Sequence, residues 1–225
     1  MLFRSARQGH SLAHAETDRT GVWIDDWSLE LDGSRYQAKI AAREFELDLT
    51  FFAQDLVLQG EGGFSRKGHR PQEASYYYSR PHLGVTGKVN GRIASGKAWL
   101  DHEWSSAYLA PEAAGWDWAG INLLDGGSLM AFRMRERKGG VHFSQPGDSF
   151  KPLRIWRSPR TGVEYPVAME VNGLRLEPLM DDQELDSRAS TGTVYWEGAV
   201  RAYRGQALAG HGYLELTGYW KPMKL

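Results

Sequence analysis

Glu44-Phe45-Glu46-Leu47-Asp48-Leu49-Thr50-Phe51 alternates a polar with an apolar side chain at every step. A period of two puts Phe45, Leu47, Leu49 and Phe51 on one face of a strand and Glu44, Glu46, Asp48 and Thr50 on the other. A helix would need apolar positions three and four apart, so the run predicts a half-buried antiparallel strand reaching back to Tyr36. Upstream, Trp23, Trp27, Leu29 and Leu31 share a face within 22–31, and Asp32-Gly33-Ser34 is a turn that joins two strands. Residues 1–20 are polar and aperiodic and read as loop or terminus.

Downstream the same grammar continues. Strands are expected at 75–80, 84–89 and 92–104, with Asn90-Gly91 as a two-residue hairpin. Further strands follow at 116–124, 128–135, 152–157, 165–171, 174–178, 193–204 and 212–220. Asp125-Gly126-Gly127, Lys138-Gly139-Gly140, Ser158-Pro159-Arg160-Thr161-Gly162 and Asn172-Gly173 separate several of them. Many strands at this spacing with almost no helical periodicity indicate antiparallel barrels or sandwiches, hence an all-β chain. Ser105–Gly115, with Pro111 and several alanines, reads as a linker, giving β units at 1–107 and 113–225.

A length of 225 residues and 41% hydrophobic content support a folded protein with a sizeable core. The net charge of −1, with 27 basic and 28 acidic residues interspersed, argues against a nucleic-acid partner. The absence of cysteine excludes disulfides and thiol catalysis. Nine Trp, ten Tyr and eight Phe suit β packing or a pocket for an apolar ligand. The start lacks an apolar signal region, and no run approaches the ~20 residues of a membrane helix, so the chain reads as soluble without an export signal.

Chemistry concentrates in Trp99-Leu100-Asp101-His102-Glu103-Trp104, flanked by Tyr76-Tyr77-Tyr78-Ser79-Arg80 and Gly115-Trp116-Asp117-Trp118. On a strand Leu100, His102 and Trp104 share one face, and Trp99, Asp101 and Glu103 the other. Two carboxylates without a nearby third ligand make a weak metal site, and no Gly-x-Ser-x-Gly elbow exists for a serine triad. Paired glycosidase carboxylates would have to come from Asp101, Glu103, Asp117, Glu184 or Glu197. The remaining chemistry is acid catalysis: a carboxyl kept neutral by apolar surroundings donates a proton, and aromatic faces stabilise the cation. Asp101, His102, Trp104, Tyr76, Tyr78, Trp116 and Trp118 contain the necessary types. The structural alternative makes these aromatics core and pairs the acids with Arg80 and Arg92.

Three other stretches invite a reading. The glycine-rich 59–68 lacks the ending of a phosphate loop and reads as a loop at a barrel rim. The run 181–188 reads as a turn with internal salt bridges. Glu197 and Glu215 lie on strands among aromatics, either as buried acids needing a partner or facing solvent.

In order, Gly63–Gly68, Ala74–Pro81, Trp99–Ser106, Gly115–Leu124, Asp182–Ser187, Tyr195–Val200 and Gly212–Tyr219 resemble the carotenoid 1,2-hydratase family. The family is also called AttH-like or hydroxyneurosporene-synthase-like, and many members are labelled as predicted secreted hydrolases. The resemblance covers roughly Gly21 to the C-terminus. It implies two consecutive lipocalin-like β-barrels with a site near their junction, and hydration of a terminal double bond of an acyclic carotenoid without a cofactor. Protonation would give a tertiary carbocation that water captures. His102 and Trp104 match the family's His-x-Trp and by resemblance face the pocket. Asp101 or Glu103 is then the acid or its orienting partner. Tyr76, Tyr78, Arg80, Trp116, Asp117 and Trp118 are expected to contact substrate.

Family members carry a segment ahead of the point where this chain begins, often with an export signal. Truncation of the first barrel, and a periplasmic or secreted setting for full-length relatives, are therefore expectations from the resemblance. The AttH-like branch, which the chain resembles most, has no well-established substrate. A lipid or isoprenoid carrier, associated with a membrane surface or an export transporter, is the competing expectation. Oligomeric state is not legible.

Overall fold

The computed structural model describes residues 12–106, 109–189 and 192–223. Of the loop expected at 1–20, residues 1–11 lie outside these, as do residues 107 and 108 of the expected linker, while Ala13–Ala15 is a strand rather than loop because it pairs with 22–24. Among the described residues there is no helix, and eighteen strands form two antiparallel sheets.

The first sheet holds β1 (Ala13–Ala15), β2 (Gly21–Ile24), β3 (Trp27–Asp32), β4 (Arg35–Ala41), β5 (Glu46–Phe52), β6 (Val57–Leu58), β7 (Phe64–Arg66), β8 (Ala74–Val89) and β9 (Arg92–Trp104). Its order is β1-β2-β3-β4-β5-β8-β6, with β7 and β9 also pairing β8. The second holds β10 (Ala113–Leu123), β11 (Ser128–Glu136), β12 (Val141–Ser144), β13 (Phe150–Arg157), β14 (Glu164–Val171), β15 (Leu174–Pro178), β16 (Glu184–Asp186), β17 (Val194–Arg204) and β18 (Ala207–Leu216). Its order is β12-β11-β10-β18-β17-β15-β14-β13, with β16 added on β17.

The long strand expected from Tyr36 to Phe51 is a hairpin. Ala42 N–H donates to Phe45 O at 2.8 Å, and Ile40 then stands opposite Leu47 and Lys39 opposite Asp48. The apolar positions change parity between Ile40 and Phe45, the trace that the turn leaves in the sequence. The expected strand 22–31 is likewise divided, with Asp25 at φ 55° in its turn. Ile24 pairs Trp27 and Val22 pairs Leu29, so Trp23 is across from Ser28 rather than on the face of Trp27 and Leu29. Asn90-Gly91 and Asn172-Gly173 are hairpin turns with positive φ at all four residues, as expected for their type.

β8 runs unbroken for sixteen residues through Pro81, where two strands were expected. The run 181–188 contains β16 as well as the expected internal ion pair, Arg188–Asp186 at 2.6 Å.

By internal contacts the chain forms two compact units. Among the described residues, one comprises 58–78 and 101–223, the other 12–57 and 79–100. This division runs through β8 and β9. In the larger unit, alternation on β17 and β18 turns Trp196, Val200, Leu214 and Leu216 into an apolar core with Ile121, Tyr165, Met169 and Leu176. The same alternation puts Tyr195, Glu197, Tyr213 and Glu215 on the opposite face. That face carries the site.

Candidate functional site

The expected Asp101–Trp104 run is the end of β9, in the larger unit with the start of β8. Alternation on β8 buries Ser75 and Tyr77 and exposes Tyr76. Tyr77, which the sequence reading passed over in favour of its neighbours, donates its hydroxyl to Asp101 Oδ2 at 2.6 Å and accepts from Trp118 Nε1–H at 3.0 Å. Burial and the Asp101 carboxylate push the Tyr77 hydroxyl far above its ordinary pKa, so it stays a proton-bearing donor.

Glu103 accepts from Ser75 Oγ at 2.5 Å and pairs with Lys67 Nζ at 2.7 Å. The Lys67 side chain is only 5% exposed. Its ammonium lies 4.0 Å from the Phe132 ring centroid and 4.8 Å from that of Tyr77. Burial lowers its pKa while Glu103 and Asp101 act the other way. Residues 59–68 are thus not merely a rim loop: Phe64–Arg66 is strand β7, and Lys67 beyond it is the counter-ion of Glu103.

On the second sheet, Glu215 stands opposite Trp118 of β10 and opposite Glu197 of β17. Trp116 Nε1–H donates to Glu215 Oε2 at 3.0 Å. Burial pushes the Glu215 carboxyl up to about 8; the negative charges of Glu197, Glu103 and Asp101 add to this and the Trp116 bond opposes it. Burial also raises Glu197, against a hydrogen bond from Tyr195. The Tyr213 hydroxyl is pushed up to about 12, chiefly by burial and then by these two acids. Trp118 lies over Gly120, where a Cβ would meet its ring at 2.3 Å. Beside Glu215 a cavity of about 610 Å³ is lined by Trp116, Tyr195, Thr217, Trp220 and Met223, among others. The acid that sequence reasoning left between burial and solvent is therefore partly buried and bonded to an indole.

The other expected site residues separate. His102 and Trp104 lie with Tyr76 and Tyr78 on the face opposite Asp101 and Glu103, since side chains alternate. Tyr78 OH is 2.9 Å from His102 Nδ1, the His102 and Trp104 rings are 5.0 Å apart, and Trp104 stacks on Tyr76 at 5.6 Å. Trp104 is 50% exposed and Tyr76 55%. Arg80 falls in the smaller unit, where it donates to Tyr36 OH at 3.1 Å and Gln54 O at 2.6 Å. Asp117 is fully buried on the core face of β10, ion-paired with Arg133 at 2.7 Å and Arg135 at 3.0 Å, and accepts from Tyr219 OH. It is a structural ion, while its neighbours Trp116 and Trp118 point to the site. Among the described residues, no three His, Asp or Glu side chains form a metal-binding group.

A family model described as AttH-like matches residues 1–219. The chain belongs to the AttH-like family. A crystal structure from Nitrosomonas europaea, assigned as an AttH, is 48% identical with a TM-score of 0.88, covering 95% of this chain and 75% of that one. The crystal structure of kievitone hydratase from Nectria haematococca is 17% identical with a TM-score of 0.63, covering 91% and 72% respectively, a likeness of fold. No protein of curated function matches in sequence. These likenesses make the AttH-like chain an all-β protein of lipocalin-like antiparallel sheets, as expected.

Chemically, the site of this AttH-like protein offers one carboxyl that carries its proton at neutral pH, a second acid opposite it, and two indoles on the strand beside the first. It can protonate an apolar substrate and shelter the resulting positive charge.

Proposed function

We propose that this chain is a hydro-lyase that adds water across a C=C bond of an apolar, isoprenoid-like or aromatic substrate. The observation that carries the proposal is Glu215, an acid held protonated to about pH 8 beside Trp116 and a ligand-sized cavity. Glu215 gives its proton to one alkene carbon, and the π electrons form that C–H bond, leaving a carbocation on the other carbon. The faces of Trp116 and Trp118 stabilise the cation. Water attacks it, and the excess proton returns to the Glu215 carboxylate, so the net change is one water added. Glu197, directly across the strand pair, is the group that can orient that water. The hydratase whose fold this chain shares is consistent with such chemistry.

Asp101 takes a supporting place in this scheme. Through Tyr77 it orients Trp118, and its charge helps to keep Glu215 protonated. The expectation that Asp101 or Glu103 is itself the proton donor is the variant to be tested against it.

The cavity by itself also supports a second reading, a lipid or isoprenoid carrier without turnover. The decisive experiment is mass spectrometry of acyclic carotenoids and of shorter prenyl and aryl alkenes incubated with the wild type, Glu215→Gln and Asp101→Asn/Glu103→Gln. A product heavier by one water, absent with Glu215→Gln, supports the hydro-lyase and its acid. Loss only in the Asp101/Glu103 variant moves the acid to β9. Binding without any product establishes the carrier.

A further inference from the structure

The cavity beside Glu215 has an uneven charge distribution that the hydration chemistry does not require. Its lining includes two cations, Arg137 and Lys221, as well as its aromatic walls. Among the described residues, neither of these cations is ion-paired with a carboxylate. Arg137 is tied to the backbone, its Nε donating to Ala113 O at 3.2 Å. The Lys221 ammonium lies 4.1 Å from the Trp220 ring centroid.

Strand geometry separates these cations from the acid. Arg137 is anchored at Ala113, the first residue of β10, and Met223 N–H donates to Ala114 O, which brings the 220–223 segment to the same end. Glu215 stands opposite Trp118, five positions along β10 from Ala113. At roughly 3.3 Å per residue, the cationic end lies on the order of 10–17 Å from the acid. The negative charges of Glu197, Glu103 and Asp101 are felt at Glu215. One end of the cavity therefore attracts an anion, and the other carries the acid.

We propose that the cavity binds a compact ligand with an apolar aromatic or prenyl body and one anionic group, a carboxylate, phosphate or sulfonate, held by Arg137 and Lys221 with the apolar body directed at Glu215. A cavity of about 610 Å³ suits a drug-sized molecule. Trp116, Trp220 and Tyr195 supply flat apolar walls, and the two cations supply charge-assisted hydrogen bonds to the head group. The inference names the substrate class for the proposed reaction and in that respect rests on it. The anion would also fix which carbon faces the acid, because the ligand enters in one orientation only.

The test uses two fluorescent probes that differ in one group: 8-anilinonaphthalene-1-sulfonate and its neutral parent N-phenyl-1-naphthylamine. The wild type is expected to bind the sulfonate about tenfold more tightly, with a preference that shrinks as salt is raised. Arg137→Gln/Lys221→Gln should abolish that preference while leaving the neutral probe's Kd unchanged, and Trp220→Ala should weaken both probes. Equal affinity of the two probes for wild type, an unchanged preference in the double variant, or indifference of both probes to Trp220→Ala would each overturn the proposal. Arg137→Gln and Lys221→Gln alone should each show a partial loss, which separates the effect from misfolding of the double variant. Binding is read without turnover, so the two readings fail separately. A sulfonate preference that persists with no hydration of any alkene would sink the hydro-lyase and leave the anion site standing. Glu215-dependent hydration without a sulfonate preference would do the reverse.

Discussion

Glu197 and Glu215 are directly opposed across β17 and β18, on the face away from the apolar core, and burial raises the pKa of both. Two carboxyls so placed behave as a coupled pair, and one of them holds its proton into the neutral range. Glu215 has an ordinary value of 4.5 and reaches about 8 in the folded chain. Between these values the folded state keeps a proton that the unfolded state has released, so this group makes stability fall as pH rises from about 5 to about 8. Thermal midpoints of Glu215→Gln across that window should be flatter than those of the wild type, and those of Glu197→Gln/Glu215→Gln flatter still. Turnover should fall in parallel as pH passes about 8. A Glu215→Gln profile with the same pH slope as the wild type would contradict a protonated Glu215.

The Lys67–Glu103 pair should respond unequally to its two truncations. Glu103→Gln leaves an ammonium that is 5% exposed without its counter-charge, whereas Lys67→Met leaves a carboxylate that is 29% exposed and still bonded to Ser75. Breaking a buried pair costs about 3 kcal/mol when the stranded charge is the buried one, and less when water can reach it. Urea denaturation of the two variants should therefore show Glu103→Gln as the less stable.

Asp117 holds two guanidinium groups and a phenol on the core face of β10. Asp117→Ala strands Arg133 and Arg135 together and should cost about 3–5 kcal/mol in chemical denaturation. Any protein that remains folded should bind the fluorescent probes with unchanged affinity. A selective loss of binding at unaltered stability would return Asp117 to the ligand site.

Gly120→Ala is a test of the indole that covers it. The new Cβ would sit 2.3 Å from the Trp118 ring, so the ring must move and its bond to the Tyr77 hydroxyl is lost. A cost of about 1–3 kcal/mol is expected, as for other overpacked positions. The near-ultraviolet circular dichroism should change, and Trp118→Phe introduced first should remove most of that change.

Trp104 and His102 offer the sharpest contrast between the family resemblance and the geometry. Trp104 stacks on Tyr76 and His102 meets Tyr78 edge-on, on an exposed face, so Trp104→Ala should shift stability by less than about 1 kcal/mol. If the acid is Glu215, hydration should survive this change. Its collapse in Trp104→Ala or His102→Ala would assign the reaction to the other face of β9.

Much of the architecture is visible in short patterns. Leu47, Leu49 and Phe51 alternating with acids already specify a strand, and Asn90-Gly91 and Asn172-Gly173 specify hairpins because few other residues adopt positive φ in succession. The β4–β5 turn was hidden because alternation resumes at once on the other parity. The β2–β3 turn was hidden because its two residues, Asp25 and Asp26, continue a polar rhythm. The site was legible in kind but not in membership. Aromatics beside acids announce it, yet nothing in the sequence ranks Tyr77 above Tyr76 and Tyr78, and Lys67 lies in a glycine-rich stretch that reads as a loop. Glu215 was noticed as an acid among aromatics, while its partner Trp116 lies ninety-nine residues away in the chain.

The sequence by itself determined that this chain is all-β, where most of its hairpins turn, which residues alternate on each strand, and to which family it belongs. These depend on the pleat and on local dihedral preferences, which adjacent residues specify among themselves. Only the tertiary structure decided which face of each strand meets the site. It sent Asp117 into the core, placed His102 and Trp104 on an exposed face, and brought Glu215 opposite Glu197 and Trp118. Strand order and register make those meetings, and a burial that reaches across sheets, rather than any motif, is what moves the proton affinity of Glu215.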